Sequence, residues 1–367
     1  MEDEMQTVND NSEINDLRSP SDFKGITLSG FKKTEVRNTL IESIKKNKPE
    51  EACYWSAELI CGGHYIDLWE IYIHYCCKYI HLGNPKIIIY LEKRYQIFKN
   101  IMSQGNFLNE LQLRNHPTIR QMFAEITCTI CQSERKTSIE QVKIKREEEL
   151  DISQVSEKLI APHVKFIEPI FRKDDPKEYF IPANEFAFNI SKEKKNMLNA
   201  CYWIEWTIEF DNLCKKRKNK CVCESRNFVK VEAKYRNDLI WIIWDCILHY
   251  GKGKNNIFVN ELLNCMFELF CVKYTTASCK KRRYLLYFAV SILTENVLNQ
   301  IELINNKDTI ILFKKKINTI YKQIKKNEQS PNTEYLFANI EKENAFEKSM
   351  KKMQLLNNID GQKRNNS

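Results

Sequence analysis

Apolar residues recur along most of this chain at spacings of three and four, the period of a helix with one buried face. The first such segment begins near Lys33 or Thr34, with Thr34 as candidate N-cap and Glu35 in the first turn. It runs through Ile41 and Ile44 to a break at Lys45-Lys46-Asn47-Lys48. Pro49 opens a second helix, which carries Ala52, Trp55, Ala57, Leu59 and Ile60 and stops at Gly62-Gly63. A third covers Ile66 to Ile80, and a fourth holds Ile88, Leu91, Tyr95, Phe98 and Ile101. Helical pattern then resumes from Leu108 to Cys131, with Pro117 opening its second half.

The pattern fades after Ser133. Pro162, Pro169, Pro176 and Pro182 fall in a stretch with few periodic positions, which predicts a charged, extended connector over residues 133–190. From Ser191 the helical period returns, through Ala200 to Leu213, Tyr235 to His249, Phe258 to Tyr274 and Arg282 to Leu298. A last amphipathic, very basic segment runs from Leu303 to Lys326. The expected fold is all-α, with a helical module at residues 31–132 and a second, basic one at 191–328. Residues 1–30 read as a disordered acidic arm and 329–367 as a polar tail.

Composition supports this class. Only nine Gly and nine Pro occur in 367 residues, too few turn formers for a sandwich or barrel. Fourteen cysteines would suit a disulfide scaffold, but they sit mainly within apolar helical patterns, and the start MEDEMQTVND lacks the character of a signal peptide. A reducing intracellular setting is expected. The most apolar run, Leu239 to Leu248, is interrupted by Asp245 and too short to span a bilayer, so no membrane partner is expected.

The tetrapeptide Ala-Cys-Tyr-Trp occurs at residues 52–55 and again at 200–203. Asp67-Leu68 through His74-Tyr75 has a weaker counterpart in Asp238-Leu239 through His249-Tyr250, in the same order. Preserved order suits an internal duplication, with Cys214 to Lys234 inserted in the second copy. Biased composition also yields such short matches, and both readings stand at this point.

Three groups could carry chemistry. Cys214, Cys221 and Cys223 flank the run Lys215 to Lys220, and thiols beside cations are reasonable ligands for a structural zinc, although no fourth ligand lies nearby. His74, Cys77 and His81 share one helix face, with Asp67, Glu70 and His64 upstream as a remote enzymatic possibility. Basic clusters are the third: Lys215, Lys216, Arg217 and Lys218, then Lys280, Lys281, Arg282 and Arg283 followed by Tyr284. Cations there could hold phosphates while a ring packs on sugar or base. The formal net charge of +9 agrees, but lysine-rich codon bias would also produce it. No Walker, dinucleotide-binding, zinc-protease, serine-hydrolase or kinase motif is present, so no catalytic residue is assigned.

Glu51 to Leu59 with Gly62-Gly63 and Asp67-Leu68-Trp69, together with Trp241-Ile242-Ile243-Trp244-Asp245 and Lys281-Arg282-Arg283-Tyr284, resemble an uncharacterised group of proteins from nucleocytoplasmic large DNA viruses. The first of these segments also resembles the helical collar region of clamp-loader-related AAA+ ATPases. That second resemblance covers about a tenth of the chain and implies oligomerisation or protein docking through helices, without ATPase activity. Together they imply a non-enzymatic scaffold or adaptor in a viral replication, transcription or particle-assembly complex, with other proteins of that complex as partners. Direct DNA or RNA binding by the second module is the alternative. No cofactor is expected beyond the candidate zinc.

Overall fold

The computed structural model describes residues 12–105, 107, 109–150, 156–217, 221–304 and 306–329. They form an all-α protein, with no strand among them. The first half contains α1 (Lys33–Lys45), α2 (Pro49–Cys61), α3 (Tyr65–Tyr75), α4 (Lys86–Gln104) and α5 (Pro117–Gln132). A single turn, α6 (Arg146–Glu149), interrupts an otherwise irregular link. The second half contains α7 (Phe180–Ile190), α8 (Met197–Lys216), α9 (Ile240–Lys252), α10 (Ile257–Cys271), the short α11 (Ser278–Lys281), α12 (Arg283–Thr294) and α13 (Lys307–Lys325).

The two Ala-Cys-Tyr-Trp segments lie in α2 and α8, each at the centre of its half. α2 packs against α1, α3 and α5, while α8 packs against α7, α9 and α12. The order of contacts is the same in both series, as a duplication requires. Tyr54 and Trp55 meet edge to face at 5.1 Å, and Tyr202 and Trp203 do so at 5.2 Å. α4 and α10, the fourth helix of each series, pack on one another, and a continuous core joins the halves.

Each central helix is overlaid by the segment that precedes its own series. Residues 12–32 cover α2: Phe31 packs on Trp55, the Ser29 hydroxyl donates to buried Glu58, and Ile14, Phe23 and Leu28 are buried. From residue 12 onward, the expected disordered arm is therefore ordered structure. Its few apolar residues lack helical period because they pack through long-range contacts. The Arg120 guanidinium fixes it by donating to the Ser12 carbonyl while lying 3.9 Å over the Tyr321 ring. Residues 1–11 and 330–367 lie outside the described residues. On the other side, the irregular link covers α8, where the Trp206 indole N–H donates to the Glu149 carbonyl at 2.7 Å.

Four local readings are corrected. α1 is preceded by Lys32 and has no side-chain cap, so Thr34 lies inside the helix. The helix expected over Ile66–Ile80 ends as α3 at Tyr75 and continues as a π-turn over Cys76–Ile80. α7 occupies part of the expected extended connector: Pro182 falls in its first turn, where a missing N–H costs nothing, and Phe186, Ala187 and Ile190 are buried. α13, assigned by position to the second module, packs instead on α5 and α2, burying Ile310, Ile317, Ile320, Tyr321 and Ile324. No described helix is long and apolar enough to cross a membrane.

Candidate anion-binding surface

The cluster Lys280 to Tyr284 is turned largely inward. Arg282 is buried, donating from Nε to Glu70 Oε1 at 3.0 Å and from Nη1 to the Phe270 carbonyl. Arg283 lies 3.1 Å from buried Glu205, and Lys280 pairs with Glu209 at 3.1 Å. The Tyr284 ring stands edge-on to His74 at 5.2 Å, leaving Lys281 as the exposed member of the group. Lys215 bridges Asp211 and Asp238 at 2.7 and 2.9 Å, whereas Lys216 and Arg217 face solvent. Lys218 lies outside the described residues. Half of the eight cations the sequence marked for phosphate, Lys215, Lys280, Arg282 and Arg283, are thus already matched by carboxylates of the same chain.

The three candidate zinc ligands are all buried. Cys223 Sγ donates to the Asp238 carbonyl at 3.2 Å, and among the described residues no three His, Cys, Asp or Glu side chains are grouped as a metal would need. The flanking cations were expected to lower these thiols, but burial dominates. It raises Cys214 and Cys221 and pushes Cys223 up to about 12, keeping them as thiols.

The face His74, Cys77 and His81 also separates into structural parts. Cys77 is fully buried, and His81 Nε2 contacts the Thr137 carbonyl at 2.9 Å from a backbone with φ of 32°. Asp67 pairs with Lys33 at 2.6 Å. His64 lines an open cleft of about 610 Å³, but its Nε2 lies 2.6 Å from the Ile26 carbonyl. Burial, reinforced by Arg37, Lys78 and Lys45, pushes the His74 imidazole down to about 4. Its folded pKa is below the usual 6.5, so the unfolded chain binds that proton more tightly. The stability gained by keeping His74 neutral is complete above about pH 6.5 and is lost as pH falls toward about 4. The thermal midpoint should therefore drop between pH 7 and pH 5, and His74→Phe should lessen that drop. A variant that follows the parent's pH profile would clear His74 of this role.

A group of lysines without carboxylate partners lies at one end of the second half. Two turns there are built alike. Between α7 and α8, Lys195 takes a φ of 49° and Asn196 caps the next helix by accepting from the Asn199 N–H at 3.0 Å. Between α9 and α10, Asn255 takes a φ of 49° and Asn256 accepts from the Val259 N–H at 3.2 Å. A third segment, Pro162 to Phe166, brings the two together. The Phe166 ring packs on Phe188 near the end of α7 at 4.8 Å, while its carbonyl accepts from the Tyr250 hydroxyl near the end of α9 at 2.8 Å.

These three segments carry Lys165, Lys192, Lys194, Lys195, Lys252 and Lys254 against the single carboxylate Glu193. Among the described residues none of the six makes an ion pair, although Lys254 Nζ donates to the Ile292 carbonyl at 2.9 Å. Burial of the Lys254 stem, then Lys195 and Lys192 as like charges, lowers its ammonium pKa. The N-termini of α8 and α10 add positive ends of helix dipoles. Leu198 and Ile257, in the first turns of those helices, are 68% and 87% exposed.

Neither Gly251-Lys252-Gly253-Lys254 nor Lys192 to Lys195 carries a motif that stands out in the sequence. The available signal was the shared pattern of a lysine-rich turn, an Asn cap and an aliphatic residue in the first helical turn. No protein family, curated protein or solved structure matches this chain.

Proposed function

We propose that the chain is a non-enzymatic helical adaptor that docks through this lysine-rich end onto an anionic partner. The observation that carries this is the concentration of lysines without ion pairs on two adjacent turns. Elsewhere Arg226, Arg282, Arg283 and Lys215 are paired within the fold. A like-charged cluster costs the folded state energy unless a partner of opposite sign relieves it. Buried ion pairs and a continuous core support a rigid body suited to holding a partner in fixed geometry. The viral setting, in replication, transcription or particle assembly, rests on the giant-virus resemblance.

The test is salt elution from a polyanionic matrix such as heparin. A variant with Lys192→Glu, Lys194→Glu and Lys252→Glu should elute at clearly lower salt than the parent with an unchanged melting temperature. A control with the same charge change at Lys24, Lys46 and Lys99, which are exposed in the first half, should shift far less. Equal shifts in the two variants would overturn the assignment of the site.

A further inference from the structure

The chemistry of this end discriminates among anionic partners. Its six cations are all lysines, without an arginine fork to read a phosphate or base bidentately. The most exposed large apolar side chains beside them are aliphatic, Ile257 and Leu198, which give bases no stacking platform, and the exposed ring of these segments, His163, is already stacked on Phe166 at 4.6 Å. At 87% and 68% exposure these two side chains project into solvent, each just beyond an Asn cap that fixes the direction of its helix. Val164, in the third segment, is 41% exposed and adjoins Lys165. Point charges around projecting aliphatic groups are the requirements of a bilayer surface: lysines sit among anionic headgroups while apolar side chains enter the acyl boundary.

We infer that the anionic partner is a phospholipid membrane surface, on which the chain docks peripherally by inserting Ile257 and Leu198 among headgroups held by Lys192, Lys194, Lys195 and Lys252. This rests on the adaptor reading above and names its partner. It requires no spanning helix, so it is compatible with the short apolar runs that led the sequence to predict no membrane partner. It differs from nucleic-acid binding in one decisive respect, because the aliphatic residues contribute as much as the charges do.

The experiment is co-sedimentation of the full chain with vesicles of phosphatidylcholine alone and of phosphatidylcholine with phosphatidylserine, at low and high salt. Binding is expected only to the serine-containing vesicles at low salt. Each lysine reversed should weaken it by at least about fivefold. The pair Leu198→Asn and Ile257→Asn should weaken it at least about tenfold while leaving heparin elution nearly unchanged. Leu198→Ala and Ile257→Ala, which add no polar group, should give a smaller loss in the same direction.

Vesicle binding undiminished by the aliphatic variants would overturn the membrane inference. So would an absence of vesicle binding by a parent whose heparin or DNA retention is lysine-dependent, and that result would leave the adaptor reading standing with nucleic acid as the partner. A parent that binds neither vesicles nor polyanions through these lysines overturns both.

Discussion

Arg226→Ala is expected to lower the free energy of unfolding by about 3–5 kcal/mol, enough to abolish folding of a marginally stable chain. The Arg226 side chain is completely buried between two stretches far apart in sequence. Its guanidinium grips the equally buried Asp175 with Nη1 to Oδ1 at 2.5 Å and Nη2 to Oδ2 at 2.6 Å, while Nε reaches Asp245 Oδ2 at 3.2 Å. Removing the cation would strand Asp175 in a region closed to water and leave the partly buried Asp245 without its partner. Burial already raises the Asp245 carboxyl, and Arg226 is the chief influence opposing that rise. In the alanine variant the folded pKa of Asp245 should climb further, so the folded chain would hold its proton more tightly than the unfolded one. The variant's deficit should therefore shrink as pH falls toward the carboxylate range. Urea unfolding followed by tryptophan fluorescence measures both effects, with Arg226→Lys expected to recover part of the loss. A deficit below about 1 kcal/mol, independent of pH, would mean that water reaches this pair.

Arg282→Ala comes next, with an expected loss of about 3 kcal/mol. Arg282 joins the halves: its guanidinium binds Glu70 on α3 and the last-but-one carbonyl of α10, at Phe270. Glu70→Gln keeps a hydrogen-bond acceptor and should cost less. The two substitutions in one chain should fall short of additivity by about 1–3 kcal/mol, because the second removes a partner already lost. This separates a structural arginine from a phosphate-binding one. The latter would change the salt dependence of nucleic-acid binding and leave the melting temperature almost unmoved. Additive losses would show that Arg282 and Glu70 are not coupled.

Helix content was legible because it depends on local spacing. The period of apolar residues located the segments that became α1, α2, α4, α5, α8, α9 and α10, and Pro49 and Pro117 marked two starts correctly. Errors fell where distant parts of the chain decide. Phe186 and Ile190 make a buried helix of a stretch whose prolines suggested extension, because Pro182 occupies the one turn that tolerates it. The Lys280 to Arg283 run looked like a surface patch because sequence cannot say that Glu70, Glu205 and Glu209 wait opposite. The unpaired lysines of the candidate surface sit in turns that composition made inconspicuous.

By itself the sequence determined that this is an all-α chain, since hydrophobic period and helix formers act over a few residues. Tertiary structure alone decided which charges cancel and which stay exposed. It returned α13 to the first half, folded residues 12–30 over α2, buried Arg226, Arg282 and Arg283, and gathered the lysines of three separate segments around Leu198 and Ile257. Burial and ion pairing are properties of neighbours in space, and only the folded chain assigns those neighbours.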